Sequence, residues 1–325
     1  MKPLPFSLPA LLCPQPSAEG EGEDLPWPLQ RPDRLLFSLP EQEEEGTQQW
    51  VEQFKAVIGD AQGFVMADCG MPVPQQRAAL LACQESPGKP AFVACLTLDE
   101  ESHTPDGWDG DASLVLLQSM GCAAVLFTAG DKEVMEELPR LFSTLWEDAR
   151  IPVGVILPKE SDQQLVAAFP RSCLMMGLDE SACIHLGELG EKTGFWKREL
   201  VIADPPEEEE DWFIAVSNGR DHLLDPAFDI DGELECQGDF TQQLLDLESD
   251  GCTALRLLLP DEDAVDFFAA EQYMVKMPIS LCAQDPVLLE RALRAFWGRA
   301  VYDGTWPLEE EDLRPLVKKY GLILL

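Results

Sequence analysis

Basic residues are scarce in this 325-residue chain: 23 Lys and Arg stand against 60 Asp and Glu, a formal charge of -37. So acidic a surface repels phosphate backbones and anionic membrane faces, which argues against nucleic acid and membrane as partners. Long apolar runs are missing too. No stretch approaches the ~20 residues that span a bilayer. The opening run, residues 4–12, is broken by Pro5 and Pro9 and is too short for a secretory leader. Leu12 stands before Cys13 where a lipoprotein cleavage box wants a small residue. Histidine is limited to His103, His185 and His222, too far apart for a His-rich metal site and read as surface or capping residues. There is no C-x-x-C, G-x-G-x-x-G, phosphate loop, G-x-S-x-G or H-E-x-x-H, which removes the common signatures of redox, nucleotide, hydrolase and zinc-protease chemistry.

What the chain has is an ordinary globular composition, 46% hydrophobic and 26% charged, over a length that suits two domains at about 150 residues each. Its ten cysteines lie apart and mostly inside apolar runs, the pattern of reduced, buried thiols in a cytoplasmic protein rather than of a disulfide framework. Residues 1–34 hold Pro, Gly and Glu with little periodicity and read as an irregular arm. From Leu35 to residue 203, short apolar runs alternate with helical periodicity, which calls for parallel strands joined by helical crossovers. Residues 204–211 read as an acidic linker, and 212–325 as a smaller α/β domain that opens with a hairpin around Asn218-Gly219 and continues with four strands. The weak linker between them implies two separable halves. The acidic runs at 43–45, 207–211 and 309–312 read as solvated helix starts, favoured by the helix dipole, rather than as cation sites.

The informative polar residues fall at the C-terminal ends of the expected strands, where barrels and open sheets place their chemistry. They are Asp68-Cys69-Gly70, Thr97-Leu98-Asp99, Thr128-Ala129-Gly130, Pro158-Lys159 and Gly177-Leu178-Asp179. Asp68-Cys69-Gly70 is followed by QQRAALLA at 75–82; AFVACLTLDE runs from 91, GCAAVLFTAG from 121, IPVGVILPK from 151 and MMGLDESACIH from 175. In this order the segments resemble the homocysteine S-methyltransferase family, whose corresponding elements read E-T-M with E-A-R-A-A-L-L-A, V-F-V-S-F-T-F-D-E, G-I-N-C, P-N-A-G and G-G-C-C-G-T-T-P-x-H-I. The resemblance covers residues 35–195. Beyond residue 212, MPISLCAQ at 277–284 and RAVYDGT at 299–305 are similar to part of the pterin-binding barrel of cobalamin-dependent methionine synthases, with Cys282 in place of an aspartate and Asp303 in place of an asparagine.

The resemblance implies an α/β fold: a truncated or incomplete TIM-type (β/α) barrel with a second, smaller α/β domain. The segment before Leu35 is too short for the family's first strands and helices. The resemblance also implies a thiol substrate and a zinc ion on three cysteines, but those positions fall on Ala129, Leu178 and Asp179, and Asp68 replaces a glutamate. No cofactor is therefore expected. Zinc belongs only to the alternative in which the chain still methylates homocysteine or another small thiol, with Cys122, Cys173 or Cys183 as substitute ligands. The preferred expectation is a non-catalytic paralogue with Asp68, Thr97, Asp179 and Asp303 as candidate substrate-binding residues. Its partners would be a small thiol or amino-acid ligand, or a partner methyltransferase or corrinoid protein.

Overall fold

Eight short strands and the helices between them fill the first two-thirds of the chain in a computed structural model that describes residues 10–13, 29–40, 46–199, 202, 213–225, 228–238 and 240–325. In chain order they are β1 (Ala10–Leu12), β2 (Leu29–Gln30), β3 (Arg34–Leu36), α1 (Thr47–Ile58), β4 (Phe64–Ala67), α2 (Val73–Glu85), β5 (Ala91–Leu98), α3 (Gly110–Ser119), β6 (Ala124–Ala129), α4 (Lys132–Asp148), β7 (Val153–Leu157), α5 (Gln163–Ala167), β8 (Leu174–Gly177) and α6 (Glu180–Thr193). All pair in parallel, in the order β2-β1-β8-β7-β6-β5-β4-β3. The order is that of an eight-stranded β/α barrel, since β1 lies beside β8, with β2 and β3 left as the two edges.

Right-handed crossovers between successive neighbouring strands place their helices on one face. The other face carries Met66, Val93, Cys95, Leu126, Ile156 and Met176, none more than 2% exposed, in a cluster that contains no helical residue. A sheet buries such a face by curling around it, which is how a barrel fills its interior with side chains. The helices that back the sheet are capped from the strand-end loops: Asp131 accepts from the Val134 amide, Asp162 from Leu165 and Asp179 from Ala182. The N-terminal segment departs from the sequence reading. Residues expected to be an irregular arm supply β1 and β2, so strands come from the stretch judged too short for them. Strands of three and two residues leave no period to detect.

The chain separates into two compact units, and the described residues of the second come from 46–49, 111–121 and 213–325. The expected linker, residues 204–211, lies outside the described residues, as does the acidic run at 43–45. After the first unit come β9 (Phe213–Ser217), β10 (Arg220–Leu224), β11 (Gly232–Glu235), α7 (Thr241–Ser249), β12 (Leu255–Leu259), α8 (Glu262–Glu271), β13 (Ile279–Ala283), α9 (Pro286–Ala295), β14 (Val301–Tyr302), α10 (Glu310–Tyr320) and β15 (Ile323–Leu324). Strands β11 to β15 form a parallel sheet in sequence order, five strands rather than four because Gly232–Glu235 also pairs. Strands β9 and β10 form the expected hairpin, with Asn218 at φ 45° and Gly219 at φ 75°, as a two-residue turn with both φ positive requires. Arg299 ties this ribbon down: its guanidinium donates to the Ile214 and Gly321 carbonyls, and its backbone exchanges hydrogen bonds with Val216. Burial lowers its pKa to about 10.

A candidate thiol site at the ends of β4 and β5

Strand β4 pairs with β5 from Phe64↔Ala91 to Met66↔Val93 and then leaves it. Cys95 thus has an N–H and a C=O with no β4 partner. The side chain of Gln76 replaces the missing strand: its Oε1 accepts from the Cys95 amide at 3.1 Å, and its Nε2 donates to the Cys95 carbonyl at 2.6 Å and to that of Met71 at 2.9 Å. The neighbouring Gln75 does the same for Leu39, accepting from its N–H at 2.7 Å and donating to its C=O at 3.0 Å. An amide side chain can do this because it presents a donor and an acceptor side by side, as a peptide group does. Helix α2, buried all round from Val73 to Cys83, holds both glutamines in place. The Asp106 carboxylate accepts from the Val73 amide at 2.9 Å and so caps this helix, whose own N-cap is a proline.

Where β4 and β5 part, a cavity of about 270 Å³ opens, lined by Cys69, Gln76, Cys95, Thr97, Thr104 and Asp106 among others. The Thr97 hydroxyl donates to the Cys69 carbonyl at 2.7 Å and fixes the loop after β4. Thr104 is spent on Trp108, bonding both its carbonyl and its amide. The lining carries no Lys, Arg or His, and its one charged residue is Asp106.

Two thiols meet at this cavity. The neighbouring Cys95 thiol lowers the Cys69 pKa despite the partial burial of Cys69 and the nearby Asp68 carboxylate. Cys95 moves the opposite way, well above the ordinary thiol value, because of its Cys69 neighbour and its complete burial. Of the pair, Cys69 is the more readily ionised thiol and Cys95 the less.

The sequence-derived candidates are not gathered in one place. Thr97 lines the cavity, and Asp68 lies beside it, accepting from the Gly70 amide at 3.2 Å. Asp179 is exposed and spends its carboxylate as the cap of α6. Ala129 ends β6, Leu178 is 57% exposed after β8, and neither offers a donor atom. The three positions that carry zinc in the resembled family therefore supply at most one oxygen, already engaged, which does not fit tetrahedral zinc. The proposed substitutes fare no better. Cys122 precedes β6 and Cys173 precedes β8, so both sit at the opposite end of the strands, about 20 Å from Ala129 at ~3.3 Å per residue. Cys183, in the first turn of α6, is buried and hydrogen-bonds Cys13 and the Leu12 carbonyl. Among the described residues no group of three or more His, Cys, Asp and Glu could hold a metal ion. The histidines engage local partners: His103 the Asp109 carboxylate at 3.0 Å, His185 the Ser161 carbonyl and His222 the Ser217 hydroxyl, each at 2.8 Å.

In the second unit, Asp303 does meet Cys282, whose thiol donates to it at 3.4 Å, while Arg256 Nε donates to the same carboxylate at 2.7 Å. Burial raises the Asp303 pKa, but the Thr305 amide and Arg256 outweigh it and hold the group below the usual range. Burial and Asp303 push Cys282 up to about 12. Asp303 is thus already neutralised by an arginine of its own sheet.

Cys69, Cys95, Gln76 and Asp106 were not among the expected site residues. The available signal was a cysteine two residues after β4 and another on the adjacent β5, two residues before Thr97. No protein-family model matches the sequence, and no curated protein matches it.

Proposed function

We propose that the first unit is a zinc-free relative of the homocysteine S-methyltransferase barrels that binds a small thiol in the β4–β5 cavity. The observation that carries this reading is the cavity itself, set at the C-terminal ends of parallel strands, where barrel folds bind substrates. Its strand order supports a barrel origin, and the absence of donors at Ala129 and Leu178 favours binding over metal-assisted methyl transfer. The lining also selects among thiols. The carboxylate of homocysteine finds no cation there, whereas an amine finds Asp106. The preferred ligand is therefore an amine-bearing thiol without a carboxylate. Ten cysteines free of disulfides suit a reducing compartment such as the cytoplasm, where such ligands stay reduced.

Calorimetry on the full chain tests the reading. Cysteamine should bind saturably and more tightly than homocysteine, with no zinc in elemental analysis of the purified protein. Absence of binding by either thiol at millimolar concentration would overturn it, as would one zinc per chain with homocysteine-dependent turnover.

A further inference from the structure

Cys69 and Cys95 differ from the other thiol pair in reach. Cys13 and Cys183 are both buried, whereas Cys69 and Cys95 line the β4–β5 cavity. Cys95 is buried in the barrel-like core, Cys69 is part-buried and packed against that core, and both line the same cavity. The backbone of each is clamped by a neighbour, Cys95 by Gln76 on both polar groups and Cys69 by Thr97. Such clamps keep both cysteines on one cavity in a fold whose sheet no longer joins them, β4 having left β5 before this point. An accessible thiol and a buried one, set on one cavity by dedicated side chains, are the parts of an attacking and a resolving cysteine.

We propose that Cys69 and Cys95 form a thiol–disulfide exchange site whose substrate is a small, amine-bearing disulfide. In the first step the Cys69 thiolate attacks one sulfur of the substrate; the Cys69–substrate S–S bond forms, the substrate's own S–S bond breaks, and one thiolate leaves and takes a proton from water. In the second, Cys95 gives up its proton and attacks Sγ of Cys69. The intramolecular disulfide forms and the second substrate half departs as a thiolate that accepts that proton. The substrate disulfide gains two electrons and the cysteine pair loses two, so the step balances without a further reactant. The neighbouring Cys95 thiol supports the first step, since it lets Cys69 ionise at lower pH than an ordinary thiol. Asp68 and Asp106 set the preference for an amine by attracting cations and repelling anions at the cavity.

The site is that of the ligand-binding reading, but exchange and stable binding can fail separately. The reduced full chain is treated with cystamine, a cationic disulfide, and in parallel with oxidised glutathione, an anionic one. The expected result is two molecules of cysteamine released per chain, a Cys69–Cys95 link in the peptide map, and a rate with cystamine about tenfold above that with glutathione at low salt. Cys95→Ala should stop after one release and accumulate cysteamine on Cys69. Cys69→Ser should release neither. Alkylation of native protein by iodoacetamide should label Cys69 before the other nine cysteines. The inference is overturned if Cys69 and Cys95 stay reduced, if other cysteines oxidise first, or if the two disulfides react at equal rates. A chain that exchanges with cystamine yet shows no calorimetric binding of cysteamine keeps this inference and loses the binding reading; the reverse result does the opposite.

Discussion

Gln76 completes a sheet with a side chain, and its removal has a calculable cost. In Gln76→Leu the buried N–H and C=O of Cys95 lose their partners, at roughly 1–3 kcal/mol each, so the variant should be less stable by about 3 kcal/mol in urea unfolding. Gln76→Glu, which turns a buried carboxylate oxygen on the Cys95 and Met71 carbonyls, should be at least as destabilising as Gln76→Leu at neutral pH. A second residue-scale prediction concerns acid. The Asp231 carboxylate accepts from the Ala254 and Thr253 amides and from the Thr253 and Cys252 side chains, which lowers its pKa from 3.8 to about 2. A carboxylate depressed by folding stabilises the fold above its unfolded pKa, and that contribution is lost as pH falls through the folded one. The native second unit should therefore lose stability between pH 3.8 and about 2, while Asp231→Asn, weaker at neutral pH, should lose less across that window; circular dichroism during acid titration checks it. Thr97 and Asp68 were legible in the sequence because strand-end polar residues are a local signal. Gln76 was visible only as part of a helical motif. Its role depends on where β4 parts from β5, which no local pattern records.

At the scale of elements, reading improved with length and periodicity. Strands β5 and β7 lie where the apolar runs place them, and the hairpin follows directly from Asn218-Gly219. Missed were β1, β2 and β11, of three, two and four residues, and α5, a helix of five. Such pieces are held by the neighbour they pair with, so their sequences carry little of the information. The alternation in β11, Gly232 and Leu234 buried with Glu233 and Glu235 exposed, is a half-buried strand pattern, but one too short to separate from a loop. The hairpin offers the cleanest test of an element. With φ at 75°, Gly219 in Gly219→Val would put a β-branched residue in left-handed backbone at a cost of about 1–2 kcal/mol. Asn218→Gly should be near neutral. Thermal unfolding of the two variants should separate by several degrees in that order.

The whole molecule reads as α/β from its alternation, and no helix among the described residues is long and apolar enough to cross a membrane. How its parts are assigned to compact units is a different matter, because that depends on contacts between residues far apart in sequence. The second unit includes residues 111–121, and Ser119 lies against Gly321, where an added Cβ would meet the Ser119 side chain at 2.2 Å. A fragment of residues 213–325 lacks that helix and should expose the face it covers; it should bind a hydrophobic dye and melt broadly, whereas the full chain melts cooperatively. The same arrangement sets an order in time. Ribosomes add about 5–20 residues per second, so α3, once made, waits roughly 10–40 s for the helix-capping glycine it rests on. During that interval the growing chain carries an unfinished surface, so co-expressing a nascent-chain chaperone should raise the soluble yield of the full chain in a fractionation assay.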